Sequence, residues 1–582
     1  MSATSFTARN KTKVIPALIA AAFLATSLAC WIIPCRLAKG ANGSPYMFGY
    51  IGDEYLYAQR IQPLVQGATA TNVFNGVGDP GIQSPFFLED FLRAIVTYSG
   101  INVVTFIWTW RILFPLVLAA CFAWLADACI PARRFSRAYC RWALAAVLFP
   151  GLYCLYDLVT YFPPLQGFLN RVPTNIEYPL SIAIGCLYLQ FLRCPGLYRG
   201  LALAGVSLCI VYLRPYLALP WSITLVPGVA WMLVARRVRL QTCLAMAAML
   251  FLGVLPLLYI VKHNGASAAY NEFYTRYFDL PFAYKIHPRW MFFLAVGAVL
   301  ALAAWKAARM GRPLLWGAAG AMAILPFICG FFSIANELIM FDRFGSFYLV
   351  AALCAVALAL EKQISSWRGQ SGNEKTRRLT ALALCAGFVL ATLLGLANFN
   401  YDFSKYPGGP CPSISEDLQY VGAYEWIAAN TEPNALFLVD DGFDWSHLPG
   451  SPNEWDKLLR KFTSKDDLFQ IVARRRRVYA ERLSTCTISD ADWQDLAVLH
   501  RGTFGYPLDA APYFKALLRF RPSYILWRKT PAIPVSMVAA PVPRGFGADL
   551  EKKGCCRKVH GGSGDVFEIW KIDYEAISGN GL

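Results

Sequence analysis

The chain is built around apolar runs of about bilayer-spanning length, at 14–34, 103–127, 142–161, 178–192, 200–213, 216–234, 242–261, 290–307, 314–333, 344–360 and 379–397. About 20 apolar residues carry an α-helix across the hydrocarbon core, and a helix satisfies its own backbone hydrogen bonds there. About eleven such runs therefore commit most of residues 1–397 to membrane helices. Composition agrees: 56% of the residues are hydrophobic and 16% charged, against roughly 45–50% apolar in soluble domains. The closest-set pair of spans flanks Arg214-Pro215-Tyr216.

The net charge of +17 reads as topology. Lys and Arg are scattered between the apolar runs, so the charge gives no basis for a nucleic-acid partner. Cytoplasmic connections should be short and basic, and every second one is: "PARRFSRAYCR" (131–141), "RCPGLYR" (193–199), "ARRVR" (235–239), "KAARMGRP" (306–313) and "EKQISSWRGQSGNEKTRR" (361–378). The alternate connections, 36–100, 162–177, 262–289 and 334–343, are aromatic and mixed in charge and belong outside. Arg9, Lys11 and Lys13 precede the first run without a convincing cleavage site. That run reads as a retained anchor with a cytoplasmic amino terminus. Localisation to a plasma membrane, the inner membrane of a bacterium, follows.

Residues 398–582 are polar and of domain length, which makes them an extracytoplasmic soluble domain beside the membrane unit 1–397. "DLQYVGAYEWIAANTEPNALFLVDD" reads as an amphipathic helix, a turn at Glu432-Pro433 and a buried strand. "LFQIVARRRRVYAER", "PSYILWRK" and "DVFEIWKI" add a helix and further strands, giving a small α/β domain. Its cysteines, Cys411, Cys486, Cys555 and Cys556, allow one or two disulfides in one of three pairings. Most other cysteines, such as Cys121, Cys186, Cys209 and Cys243, sit inside apolar runs as small hydrophobes. The "ARRRR" run (473–477) reads first as a solvated edge. No zinc-ligand spacing, phosphate-binding loop or dinucleotide fingerprint occurs.

The first outer loop contains "MFGYIGDEYLYAQRIQPL" (47–64), with adjacent carboxylates at Asp53 and Glu54. After Gly52 the spacing is helical. Tyr50, Glu54, Tyr57, Ile61 and Leu64 form one stripe, and Asp53 and Arg60 lie on a neighbouring one. Successive helical residues point about 100° apart, so the two carboxylates do not share one job. Asp53 can cap the helix. It can also be a general base at the membrane surface, where low dielectric raises a carboxyl pKa.

A long outer loop with an acidic "GDEYLYAQRI" element, a many-span membrane unit and a C-terminal outer α/β domain resemble the GT-C superfamily of polyprenyl-phosphate-dependent glycosyltransferases. That superfamily includes protein O-mannosyltransferases, aminoarabinose transferases and oligosaccharyltransferases. "YLRPYLALPW" (212–221), "DRFGSFYLVAAL" (342–353) and "YEWIAANTEPNALFL" (424–438) are also similar to segments of bacterial members. The double-Asp and Trp-Trp-Asp motifs of particular families are absent, which leaves sugar and acceptor open. The resemblance implies a polytopic helical fold of about eleven spans with an outer α/β domain. It implies a donor carrying a sugar on polyprenyl phosphate, and a glycan, glycolipid or protein acceptor.

Phosphate leaves without a proton donor, so this chemistry needs one base and a cationic clamp. The resemblance gives the base role to Asp53, with Glu54 and Tyr57 in contact with substrate or a divalent metal, whose requirement stays open. Arginine grips phosphate with a two-pronged fork, and Arg343, just before a span on the outer side, is the first choice. Arg214, near the outer end of its span, and Arg276 and Lys285, in the aromatic and basic outer loop 262–289, complete the set. Two other classes compete. A transporter or flippase would carry inverted repeats and midplane charges, and neither is evident. A sensory or assembly protein whose outer domain does the work would need only one or two spans as anchor, and a catalytically inactive GT-C-like envelope assembly protein would keep the fold without the chemistry.

Overall fold

The computed structural model describes residues 46, 58, 61–62, 88–129, 176–213, 217–263, 313, 317, 347, 350, 417–439, 468–478, 490–504, 510–528, 550–562 and 565–579. The chain divides into two compact units. One comprises Met1–Arg36, Trp108–Tyr259 and Leu280–Pro407; the other comprises Leu37–Ile107, Ile260–Asp279 and Gly408–Leu582.

The described helices before residue 264 are α1 (Leu88–Ser99), α2 (Val103–Cys129), α3 (Glu177–Arg193), α4 (Leu197–Leu213), α5 (Ala218–Val234) and α6 (Leu240–His263). Their ends follow from local chemistry. Asn102 caps α2, its side-chain oxygen accepting the Thr105 N–H at 2.7 Å. Arg193, in the last turn of α3, donates to the Ala128 carbonyl at the end of α2, a cation placed against orphan carbonyls. Helix α5 ends with Arg236 in the left-handed region at φ 52. There the Arg236 and Arg237 N–H groups reach back to Leu233 and Met232, the paired closure of a helix C-terminus.

Helix α3 buries Tyr188 completely, and its hydroxyl donates to the Thr224 carbonyl of α5 at 3.3 Å. This contact needs Gly228, because a Cβ there would collide with the Tyr188 hydroxyl. It falls one turn from Pro227, whose missing N–H removes one intrahelical hydrogen bond. On the outside of α5 and α6, Val226, Trp231, Val234, Leu244, Phe251 and Leu252 are exposed by 46% to 84%. Among the described residues no single helix is long and apolar enough to cross a membrane. One pair bent by 106°, Phe91–Ser99 with Val103–Trp110, meets that measure jointly, and Leu197–Leu213, Pro220–Val234 and Leu240–Pro256 are shorter apolar helices.

The described C-terminal elements are a 3-10 turn (Leu418–Tyr420), α7 (Val421–Asn430), β1 (Leu436–Val439), α8 (Phe469–Val472), β2 (Arg476–Arg477), α9 (Asp490–Thr503), α10 (Ala510–Phe520), β3 (Tyr524–Arg528), β4 (Cys556–His560), β5 (Phe567–Ile572) and α11 (Tyr574–Gly579). The strands form one sheet in the order β2-β1-β3-β5-β4. β1 runs parallel to β2 and β3, and β5 runs antiparallel to both β3 and β4. All four residues of β1 are buried, as an inner parallel strand covered on both faces requires.

Alternation along the strands sorts the two faces. Leu436, Leu438, Ile525, Trp570 and Ile572 join Leu499, Tyr513, Phe514 and Leu517 of α9 and α10 in one core. Phe437 points the other way, stacked on Tyr524 at 4.9 Å and tilted against Phe469 of α8 at 5.5 Å. Tyr424 of α7 meets Phe469 edge-on at 5.5 Å. The result is a sheet between two helical layers.

Candidate functional site

Asp53, Glu54, Tyr57, Arg343, Arg214, Arg276 and Lys285 lie outside the described residues. Ala58, Ile61 and Gln62 are helical and no more than 6% exposed, and their i, i+3, i+4 spacing puts them on one helix face. Phe347, four residues after Arg343, is fully buried and packs edge-on against Trp221 at 5.1 Å. Tyr46 precedes Asp53 by seven residues, a span of at most about 25 Å. Its hydroxyl donates to Glu425 Oε1 at 3.1 Å.

Glu425 lies on the exposed side of α7, whose Ala423, Tyr424 and Ile427 face the core. Burial, the Glu425 hydrogen bond and the Glu425 charge all raise the Tyr46 pKa, while the Arg474 charge lowers it. The hydroxyl is therefore protonated and donates at neutral pH. Arg474 belongs to the "ARRRR" run, whose residues take two different roles. Arg474 is exposed and Arg476 half-buried, whereas Arg475 and Arg477 are 5% and 2% exposed. Arg475 closes the end of α7. Its Nη2 donates to the Ala428 carbonyl at 3.1 Å and the Thr431 carbonyl at 2.7 Å, and its Nε to Thr431 Oγ1 at 3.0 Å. The reading of this run as a solvated edge is therefore corrected: half of it is built into the fold.

A charged cluster sits at the carboxyl end of β3, where ligands of open parallel sheets bind. Arg528 Nη2 donates to Asp417 Oδ1 at 3.0 Å and to the Tyr424 hydroxyl at 2.6 Å, and that hydroxyl donates to Asp417 Oδ1 at 2.7 Å. The Leu468 N–H takes the other carboxylate oxygen at 2.6 Å, and the guanidinium lies over the Tyr420 ring at 4.8 Å. The side chains of Arg528 and Asp417 are 3% and 2% exposed. The cluster clasps the 3-10 turn, α7, the start of α8 and β3 together, and both Asp417 oxygens are engaged in doing so. Sequence reading missed it because Asp417 and Arg528 are 111 residues apart. The available signal was an arginine ending an otherwise apolar strand.

The amino end of β3 carries an exposed counterpart. Glu432 accepts from the Tyr524 hydroxyl at 2.7 Å and from Lys571 Nζ at 3.0 Å. Its own backbone N–H, the Tyr524 hydroxyl and the Lys571 ammonium hold its carboxyl down at about 2. On the other sheet face Glu568, 3% exposed, accepts from Lys558 Nζ and Trp570 Nε1, each at 3.1 Å. Trp426 stacks on His560 at 4.4 Å beside Gly561, whose φ of +103 suits only glycine. Cys555 and Cys556 are buried; Cys411 and Cys486 lie outside the described residues. Among the described residues no three His, Cys, Asp or Glu side chains form a group able to hold a metal ion.

No family model matches the chain, and no curated protein matches it. Its fold is similar to the crystal structure of the oligosaccharyltransferase of Archaeoglobus fulgidus, in complex with zinc and sulfate, at a TM-score of 0.43 and 11% identity. The similarity covers 87% of this chain and 67% of that one.

Proposed function

We propose that the chain is a membrane glycosyltransferase that moves a sugar from a polyprenyl-phosphate donor to a glycan, glycolipid or protein acceptor on the outer face of the membrane. The observation that carries this reading is the membership of the second compact unit, Leu37–Ile107, Ile260–Asp279 and Gly408–Leu582. These segments overlap three of the five stretches that charge patterning assigns to the outer side, 36–100, the first part of 262–289 and the region from 398 onward, while 162–177 and 334–343 belong to the other unit. A unit gathered from outer-side segments, one of them bearing Asp53, is what a reaction at the outer leaflet requires. The apolar side chains exposed on α5 and α6, Val226, Trp231 and Val234 on one and Leu244, Phe251 and Leu252 on the other, support the membrane setting.

In this mechanism the acceptor hydroxyl attacks the anomeric carbon as Asp53 takes its proton. The bond from carbon to the phosphate oxygen breaks, and its electron pair leaves with the lipid phosphate. Arg343, with Arg214, Arg276 and Lys285, neutralises the leaving group. Glu54 and Tyr57 contact the substrate or a metal, and direct displacement inverts the anomeric centre. The test is sugar transfer by purified protein in lipid, comparing wild type with Asp53→Asn. Loss of the base should slow transfer by about 10²- to 10⁴-fold. Full activity in the Asn variant would remove Asp53 from the chemistry.

A further inference from the structure

We propose that the arginines gathered at one end of helices α3 to α6 form a binding site for the headgroup of an anionic phospholipid. The proposal rests on the membrane setting of the function above and does not depend on sugar transfer. Contacts within the first compact unit bring the site together. Trp221 of α5 donates to Ser181 of α3 at 3.4 Å, and further along Tyr188 meets Thr224 and Gly228, so α3 and α5 run parallel and end side by side. Gly200 of α4 lies against Thr242 and Met246 of α6, and further along Leu208 and Tyr212 meet Gly253, so α4 and α6 run parallel and start side by side. The short turns 194–196 and 235–239 join these ends at one end of the four helices.

Arg199, Arg236, Arg237 and Arg239 stand there, all exposed. The turn that carries three of them is fixed. Val238, 7% exposed, anchors it between Arg237 and Arg239, and the Arg239 carbonyl accepts from the Thr242 N–H at 3.0 Å, beside the Gly200 contact. Arg237 lies over the Trp231 ring at 5.1 Å, and Arg199 Nη1 donates to the Cys194 carbonyl at 2.7 Å. Arg193 is engaged with the Ala128 carbonyl and is left out of the site. No Asp or Glu occurs between Glu177 and Glu272, and among the described residues no carboxylate pairs with any of the four arginines. Like charges assembled without countercharge repel one another, so an anion stabilises them. The rim selects which anion. Leu197, Tyr198, Trp231, Val234, Leu240 and Leu244, on the same helix ends, are exposed by 45% to 88%. A soluble phosphate would leave that surface against water. A phospholipid covers it with acyl chains while its phosphate diester takes hydrogen bonds from guanidinium forks, and basic pockets between helices suit anionic headgroups.

Native mass spectrometry of the full chain, from detergent micelles holding equal amounts of phosphatidylglycerol and phosphatidylcholine, tests the site. The wild type should retain phosphatidylglycerol in at least about tenfold preference, and Arg199→Gln, Arg236→Gln and Arg239→Gln combined should remove it, since each cation near a lipid surface contributes about fivefold. Lys552→Gln, Lys553→Gln and Arg557→Gln combined remove as much exposed charge from the second unit and should leave the preference intact. Val234→Ser with Leu240→Ser should weaken lipid retention without touching a charge. An unchanged preference in the triple arginine variant, or an equal fall in the control, would overturn the site. Displacement of the lipid by an equal concentration of inorganic tripolyphosphate would overturn the lipid as its ligand. Release of the wild-type chain from membranes by alkaline extraction would strike the membrane setting itself; retention in membranes without a lipid preference would strike this site alone.

Discussion

Asp417 and Arg528 form a buried pair that tolerates loss of both partners better than loss of one. Arg528→Met leaves a carboxylate among apolar groups with its main countercharge gone, at a cost of about 3–5 kcal/mol. Asp417→Leu combined with Arg528→Met removes the stranded charge and should recover at least half of that. The measurement is the denaturant midpoint of the full chain followed by tryptophan emission, and a neutral Arg528→Met would show that the pair holds nothing. Glu432 behaves differently because its side chain is 54% exposed and Lys571 39%. Its carboxyl is held at about 2 in the folded chain against an ordinary value of 4.5. The stabilisation is therefore complete above about pH 4.5 and disappears as pH falls toward 2. Solvent screening keeps it below about 1 kcal/mol. Glu432→Gln should flatten the acid limb of a stability–pH curve over that window, and an unchanged slope would assign the limb to other groups.

Secondary structure in the C-terminal region was legible wherever periodicity and turn chemistry agreed. The stretch from Leu418 to Val439 was read as helix, turn and buried strand, and it is the 3-10 turn with α7, a turn and β1. "PSYILWRK" and "DVFEIWKI" contain β3 and β5, and the apolar runs at 178–192, 200–213, 216–234 and 242–261 fall on α3 to α6. The arginine run was misread because composition alone cannot say whether charge faces water. The last two arginines are β2, paired in parallel with Leu436 and Phe437 of β1, and alternation turns every second side chain inward. Inside, Arg475 finds helix-end carbonyls that no sequence window around it contains. The proposed catalytic and clamp residues lie outside the described residues, so their sequence assignments stand as proposals. One described contact, that of Tyr46, seven residues before Asp53, with Glu425, joins residues too far apart in sequence for any local pattern to carry.

At the scale of the whole molecule, the proposed function gives the two units different surroundings. On the membrane reading, α6 turns Leu244, Phe251, Leu252 and Leu255 toward acyl chains, which explains why these residues are exposed by 40% or more. A charge there should cost about 2.5–3.5 kcal/mol near the middle of the bilayer. Phe251→Asp should accordingly reduce the fraction of chain integrated into membranes after alkaline extraction, while Phe251→Leu should leave it unchanged. Equal integration of the Asp variant would mean that this face meets water or protein instead. The second unit is discontinuous in sequence, since about 300 residues, of which only Ile260–Asp279 belong to it, separate Ile107 from Gly408. At the about 5–20 residues per second of synthesis, its first segment leaves the ribosome about 15–60 s before its last begins to. During that interval Tyr46 has no α7 to meet. The order of synthesis thus makes the amino-terminal segment the waiting half of this unit.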